Sequence, residues 1–248
     1  MQKPWANAMS RFADLHLQPS LRDKKSLGNL IRKASELNYT LLGISLPSNI
    51  KQSEKDVLRK TCAEHGVDFT PRIDLHPKSA RELLRSLRRL RRKFEVVSVD
   101  CSSKAVARQA AKDHRVDILF VTRESLSMRF FDKAEARLAL QGVAALEVNM
   151  RSLLGLTRFS RARLLSYLRR EVEIAEKHRI PTVLSSNAQV TTQIRGPHDL
   201  ASLAALFGMK ESAALKGISQ MPLAIVNRNR EKLSSDYVAC GVRVVRRI

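Results

Sequence analysis

Seven times between residues 12 and 186 a short apolar run rich in β-branched residues gives way to a longer stretch, much of it with apolar residues at helical spacing. The runs fall at 12–17, 39–46, 67–75, 94–100, 116–121, 144–149 and 181–186. After the first, Leu27, Leu30, Ile31, Ala34 and Leu37 share one face of a helix. After the second, Ser53 and Asp56 stand at capping-box spacing in a helix that stops at Gly66. Ser160 is the expected cap of a long helix burying Leu164, Leu165, Leu168, Val172 and Ala175. Beyond 186 the rhythm changes to helices at 199–207 and 210–218 and a short strand at 242–245.

Strands that are apolar on both faces pair in parallel, and right-handed crossovers then leave a closed barrel or an open doubly wound sheet. No G-x-G-x-x-G follows the first run and no P-loop is present, which removes the usual reason for an open nucleotide-binding sheet. The expectation is an α/β fold, a distorted TIM-like β/α barrel of about seven parallel strands. It is expected to be a single domain over 1–248, with a basic C-terminal extension from about 227.

Charge narrows the function. Lys and Arg number 45 against 24 Asp and Glu, a net charge of +21, in a chain whose 44% hydrophobic content is that of an ordinary folded protein. Such an excess opposes compaction unless a polyanion offsets it, so nucleic acid is the expected partner. No apolar run reaches the roughly 18 residues of a membrane span, and MQKPWANAMS lacks a signal peptide's apolar core. The expectation is a cytoplasmic protein with no membrane partner. Cys62, Cys101 and Cys240 form no C-x-x-C pair and read as buried thiols. At 5% aromatic residues, with no interleaved Phe/Tyr motif, stacking platforms for RNA bases are not expected.

In a barrel, functional groups collect at the C-terminal ends of strands. Asp14 and His16, Asp74 and His76, Asp100, Arg123, Asn149 and Asn187 all fall near such ends. His65, His114 and His178 sit at helix ends, where the dipole suits a cation. That leaves His16, His76 and His198 to join Asp14, Asp74 and Asp100 in a metal cluster, weighed against polar residues that merely finish buried strands.

The run VLSSNAQVTTQIRGPHDLASLAALFGMKESAALKGIS (183–219) and the opening FADLHL (12–17) resemble the ribonuclease P protein component 3 family. Its signature is a strand ending Ser-Ser-Ala, an Arg-x-Pro-x-Asp loop and two helices, the second carrying a lysine before a serine. That family resembles the PHP phosphoesterases in fold. PHP enzymes begin Asp-x-His-x-His; Asp14 and His16 match, but Gln18 replaces the second histidine, and Leu46-Pro47 stands where an Asp-His pair would end the second strand. The resemblance therefore implies that Asp14, His16, Gln18 and Asp74 mark a relic metal site inside a scaffold, with no catalytic residue, metal or cofactor on the protein.

It also implies a subunit of ribonuclease P, the endonuclease that removes the 5′ leader of precursor tRNA, in which the RNA subunit holds Mg2+ and cleaves. The implied partners are ribonuclease P RNA, precursor tRNA and a small ferredoxin-like ribonuclease P protein, which pairs with this chain, the pair dimerising into a heterotetramer. The lack of a long acidic or lysine-rich extension favours an archaeal member. The alternatives are a free-standing PHP-like phosphoesterase and a general basic RNA-binding protein.

For RNA contact the densest candidate is KSARELLRSLRRLRRKFE, where Arg81, Arg85, Arg88 and Arg92 lie opposite a stripe of Leu83, Leu84, Leu87 and Leu90, joined by Arg89, Arg91 and Lys93. Arg195 matches the signature arginine, with Asp199 expected to cap the next helix. Lys216 matches the signature lysine with one residue inserted before it, and Arg108 and Arg123 are candidates by position. Arg228, Arg230, Lys232, Arg243, Arg246 and Arg247 read as an RNA-gripping arm or a solvated tail. Met128, Phe130 and Phe131 are a candidate apolar patch or a barrel lid.

Overall fold

A computed structural model of the chain describes residues 11–122, 131–239 and 242–244. Seven parallel strands follow in sheet order and in chain order: β1 (Phe12–Leu17), β2 (Tyr39–Ser45), β3 (Asp68–Leu75), β4 (Val96–Asp100), β5 (Ile118–Phe120), β6 (Ala145–Asn149) and β7 (Thr182–Ser185). The segment after β7 returns to β1, where Gln18 N–H donates to Ala188 O at 2.9 Å, so the sheet closes to a nearly complete barrel. Helices α1 (Lys24–Glu36), α2 (Gln52–Glu64), α3 (Ala80–Leu90), α4 (Lys104–Lys112) and α5 (Lys133–Gln141) form the crossovers. They bury their apolar stripes, Leu27, Leu30, Ile31 and Ala34 on α1 and Leu83, Leu87 and Leu90 on α3.

Two helix starts differ from the expected ones. The α2 helix begins at Gln52, so Ser53 and Asp56 lie inside it, and the carboxylate that reaches back is Glu54, accepting from Lys51 N–H at 2.8 Å. After β6, Asn149 caps a short helix α6 (Met150–Gly155) by accepting from Arg151 N–H at 3.0 Å. The long helix α7 (Arg158–Lys177) therefore starts from Thr157, and Ser160 sits in its first turn. Helices α8 (Pro197–Ala204) and α9 (Glu211–Ile218) follow.

The largest departure is α10 (Gln220–Leu233), which occupies the start of the expected basic extension. Its Ile225 and Val226 pack with Ala13, Leu41, Val96, Ile118, Ala145 and Val183, a small core separate from the one under the outer helices. These strand residues lie near the N-terminal ends of their strands, so α10 plugs that end of the barrel. Arg228 Nη2 donates to Asp117 at 2.9 Å, Arg230 Nε to Glu95 at 2.7 Å and Asn229 Nδ2 to Glu95 O at 2.8 Å. Arg228 and Arg230 are thus structural, and neither belongs to a free arm. A hairpin of β8 (Tyr237–Ala239) and β9 (Val242–Arg243) follows. Arg246 and Arg247 lie outside the described residues, as do Cys240, Val245, Arg123, Met128 and Phe130. Phe131, a candidate for a surface patch or a barrel lid, is buried in the core.

Alternation along a strand turns every second side chain into the lumen. From floor to mouth, β6 presents Ala145, Glu147 and Asn149, while β4 presents Val96, Ser98 and Asp100 and β5 presents Ile118 and Phe120. The lumen therefore grades from apolar, through ionic, to polar. The register of β1 shifts between Asp14 and Leu17, and Leu15 O lies where a Cβ on Gly43 would be only 2.4 Å from it. Only glycine allows that approach.

Candidate nucleic-acid interface

The middle layer of the lumen is an ion network around the fully buried Arg72. Its Nη1 and Nη2 donate to Glu147 Oε1 and Oε2, each at 2.7 Å, Nε donates to Asp74 Oδ1 at 2.7 Å and Nη1 also to Leu15 O at 3.1 Å. His16 fills the remaining space, Nδ1 at 3.2 Å from Glu147 Oε2 and Nε2 at 3.4 Å from Asp74 Oδ2. Burial and the Arg72 charge push His16 down, but Glu147 and Asp74 outweigh them and raise it to about 9. Burial would likewise raise both carboxylates, yet Arg72 and His16 hold Glu147 down to about 2 and Asp74 well below the usual carboxylate range. The group is two cations against two anions, with Ser45 and Ser98 hydroxyls completing Asp74. Beside it Asp14 accepts from the backbone N–H of His16 and Ser186, and burial pushes its carboxyl up despite those bonds.

This donor set does not fit a PHP-type metal. Both oxygens of Glu147 are taken by a guanidinium, and an imidazolium placed between two carboxylates has no lone pair to offer. Gln18 lies at the surface, its carboxamide oxygen accepting from Gln189 Nε2. The three-histidine cluster does not assemble either. Phe120 stands between His16 and His76, with ring centroids at 5.9 and 5.8 Å, and His198 packs edge-on against Phe12 on another flank. Among the described residues no group of three or more His, Cys, Asp or Glu is arranged to hold a metal ion. Arg72 and Glu147, which build the site, were not among the expected residues. Their signal was a charged residue in the inward phase of an otherwise apolar strand.

Above Phe120 the mouth opens into a cleft of about 660 Å³ whose walls include His76, Lys78, Asp100, Thr122, Arg151 and Asn187. His76 Nδ1 lies 3.3 Å from Asp100 Oδ2, and the hydrogen bond to Asp100 raises its pKa.

On the outside, Ser79 caps α3 by accepting from Glu82 N–H at 3.2 Å, which fixes the phase that turns Arg81, Arg85, Arg88 and Arg89 to solvent. Arg92 is exposed on the following 3₁₀ turn. None of these five side chains has a hydrogen-bond or ion-pair partner among the described residues. Arg91 does not belong with them: its Nη1 donates to buried Asp117 at 2.5 Å. Arg108 is half committed, its Nε 3.3 Å from buried Glu135.

Arg195 lies on the loop after β7, but the loop has run down the flank of the barrel. Tyr39, the first residue of β2, donates its hydroxyl hydrogen to Arg195 O at 2.9 Å. The Arg195 side chain folds onto its own loop, Nη1 donating to Thr192 O at 2.7 Å and Ile194 O at 2.9 Å, which leaves Nη2 and Nε without partners among the described residues. Asp199 is the third residue of α8 and accepts from Gly196 N–H at 3.3 Å. Lys216 is exposed on α9 beside a groove of about 300 Å³ bordered by Arg179 and Lys210. Gly217 packs on Thr182 O at the start of β7, so Lys216 and the mouth lie towards opposite ends of the barrel.

Residues 11–234 match the sequence family described as RNase P subunit p30. The chain is 28% identical over 242 residues to ribonuclease P protein component 3 of Methanothermobacter thermautotrophicus, covering 96% of each. It is 27% identical over 236 residues to the same component of Methanococcoides burtonii, covering 94% of this chain and 93% of that one. In three dimensions it resembles a chain from a cryo-EM structure of archaeal ribonuclease P with mature tRNA, with a TM-score of 0.82 at 21% identity, covering 94% of this chain and 98% of the other.

Proposed function

Because this chain belongs to the RNase P subunit p30 family, we propose that it is an RNA-binding subunit of the ribonuclease P ribonucleoprotein, which removes the 5′ leader of precursor tRNA. The protein works by neutralising and positioning phosphates, while the RNA subunit holds Mg2+ and carries out cleavage. What carries this reading is the contrast within the molecule: the would-be metal pocket is filled by Arg72, and the exposed arginines of α3 have no acid partner among the described residues. Unpaired, solvated guanidinium groups in helical register meet phosphates without first breaking a salt bridge.

Arg195 adds a second contact. Its guanidinium is half anchored by its own loop, so little rotamer entropy is lost when Nη2 and Nε meet a phosphate. Lys216, Arg108 and Arg123 are lesser contacts in the same reading. The ferredoxin-like ribonuclease P protein is the protein partner, paired with this chain in a heterotetramer in the cytoplasm. Among the described residues no helix is long and apolar enough to cross a membrane.

The test is reconstituted precursor-tRNA cleavage with the ribonuclease P RNA at limiting and at raised magnesium. Arg195→Ala is expected to slow cleavage most at limiting magnesium, where free cations cannot substitute, and Arg195→Lys to recover it in part. Full activity of Arg195→Ala at limiting magnesium removes the residue from the interface. A reconstituted particle whose cleavage does not depend on this chain overturns the reading.

A further inference from the structure

The cleft at the barrel mouth plays no part in the contacts proposed so far, and its chemistry is specific. Lys78, on the loop after β3, and Arg151, in the first turn of α6 after β6, stand on opposite walls, and neither side chain has a partner among the described residues. Asp100 is the lining carboxylate, and it is already occupied, accepting from Thr122 N–H at 3.1 Å and facing His76 at 3.3 Å. The cleft therefore presents two cations that nothing among the described residues offsets, which calls for an anion.

Beside the cations are groups suited to hydroxyls and amides. Asn187 holds a left-handed backbone conformation at φ 50°, and its carboxamide oxygen is buried with no hydrogen-bond partner among the described residues. That oxygen thus has no bond to lose on turning to a ligand. Gln18, Asn149 and Ser102 line the same space. An aromatic surface completes it, since the half-exposed His76 ring stands perpendicular to Phe120 at the floor. At about 660 Å³ the cleft lies within the range of small-ligand sites, roughly 300 to 1,000 Å³.

An anion, neighbouring hydroxyl and amide groups, and a flat ring are the recognition needs of one nucleotide. We propose that the mouth of the barrel binds a single unpaired ribonucleoside monophosphate unit, its phosphate on Lys78 and Arg151 and its sugar and base edges on Asn187 and its neighbours. The unit comes from an RNA chain if the ribonuclease P reading holds, and from a free nucleotide otherwise. The α3 face grips backbone without regard to sequence, whereas this cleft selects a nucleotide that has left its stack.

The experiment uses the purified full-length chain, titrated with adenosine and uridine 5′-monophosphates and with inorganic phosphate, and read by calorimetry and by the His76 ring resonances. At least one nucleotide is expected to bind more tightly than phosphate and to shift His76, with affinity lowered about tenfold or more in Arg151→Gln or Lys78→Gln, each losing one charge-assisted contact. A second arm places a photo-cross-linker at Ser152→Cys in the particle assembled with ribonuclease P RNA and precursor tRNA. A cross-link to one RNA nucleotide identifies the source as RNA, and its loss on adding free nucleotide confirms one shared site. Nucleotide binding by a chain that binds no ribonuclease P RNA sinks the ribonuclease P reading and keeps this one. Equal affinity for phosphate and both nucleotides, binding indifferent to Arg151→Gln and Lys78→Gln, or no binding in either arm overturns it.

Discussion

At the floor of the barrel Arg91 and Arg228 end on Asp117 and Arg230 on Asp68 and Glu95, and in the lumen Arg72 ends on Asp74 and Glu147. On α3, Arg81, Arg85, Arg88 and Arg89 end in solvent. The residue type is the same in both regions, and its role is decided by what stands opposite. Where acids wait on neighbouring strands, an arginine is a fastener. Where the nearest structure is its own helix, it is a site for a polyanion. The net charge of +21 already cancels each arginine whose acid is built in, so the excess belongs to cations such as those of α3, and the two sets separate by mutation.

The largest expected effect is in the lumen. Arg72→Met leaves Glu147 and Asp74 buried against one remaining cation, and breaking a buried pair in this way costs about 3–5 kcal/mol. Denaturant unfolding checks it, and Arg72→Met combined with Glu147→Leu is expected to recover much of the loss because the remaining His16–Asp74 pair is neutral. A single variant as stable as wild type means that the network holds nothing together.

Next is the floor. Asp117 accepts from Arg91, from Arg228 and from Val97 N–H at 2.9 Å. Asp117→Asn weakens all three and loosens α10, at about 1–3 kcal/mol by unfolding. Faster amide exchange in 220–233 than in the strands is the accompanying sign.

A smaller effect appears on the pH axis. His16 titrates at about 9 when folded, above its ordinary 6.5, so its contribution is complete below about 6.5 and is lost as pH rises through 9. Glu147 is held down to about 2 from 4.5, so its contribution is present above 4.5 and is lost as pH falls towards 2. Melting temperature should be flat between these limits and fall on either side. His16→Gln should remove the alkaline fall, and an unchanged alkaline limb in that variant contradicts the assignment.

The same contrast explains what could be read in the chain before its structure was known. The strands were legible because each is a short apolar run between helical stretches, and parallel pairing in chain order follows from that rhythm. The α3 face was legible because both its leucines and its arginines repeat at helical spacing. The α10 helix was not: QMPLAIVNRNREKL carries Pro222 and bunches its apolar residues in one run at 221–226 instead of repeating them at helical spacing, and what it buries includes Asn229 against Glu95, more than a hundred residues away. Arg72 and Glu147 were hidden for the same reason, since each is one charged residue in a strand and only the barrel brings them together. Ser53, Asp56 and Ser160 have capping chemistry, but the chain turns elsewhere.

The smallest expected effect on stability is on α3, and there the central claim is exposed. Arg85→Gln, Arg88→Gln and Arg92→Gln together remove no contact among the described residues, so the melting temperature should stay where it is. The measurement is the salt dependence of ribonuclease P RNA binding by this triple variant and by wild type. With each phosphate contact contributing about 0.9 to the log–log slope on a duplex, the variant should bind more weakly and lose about 2 to 3 units of slope. An unchanged affinity and slope in a variant that is still folded would mean that the unpaired arginines do not meet RNA.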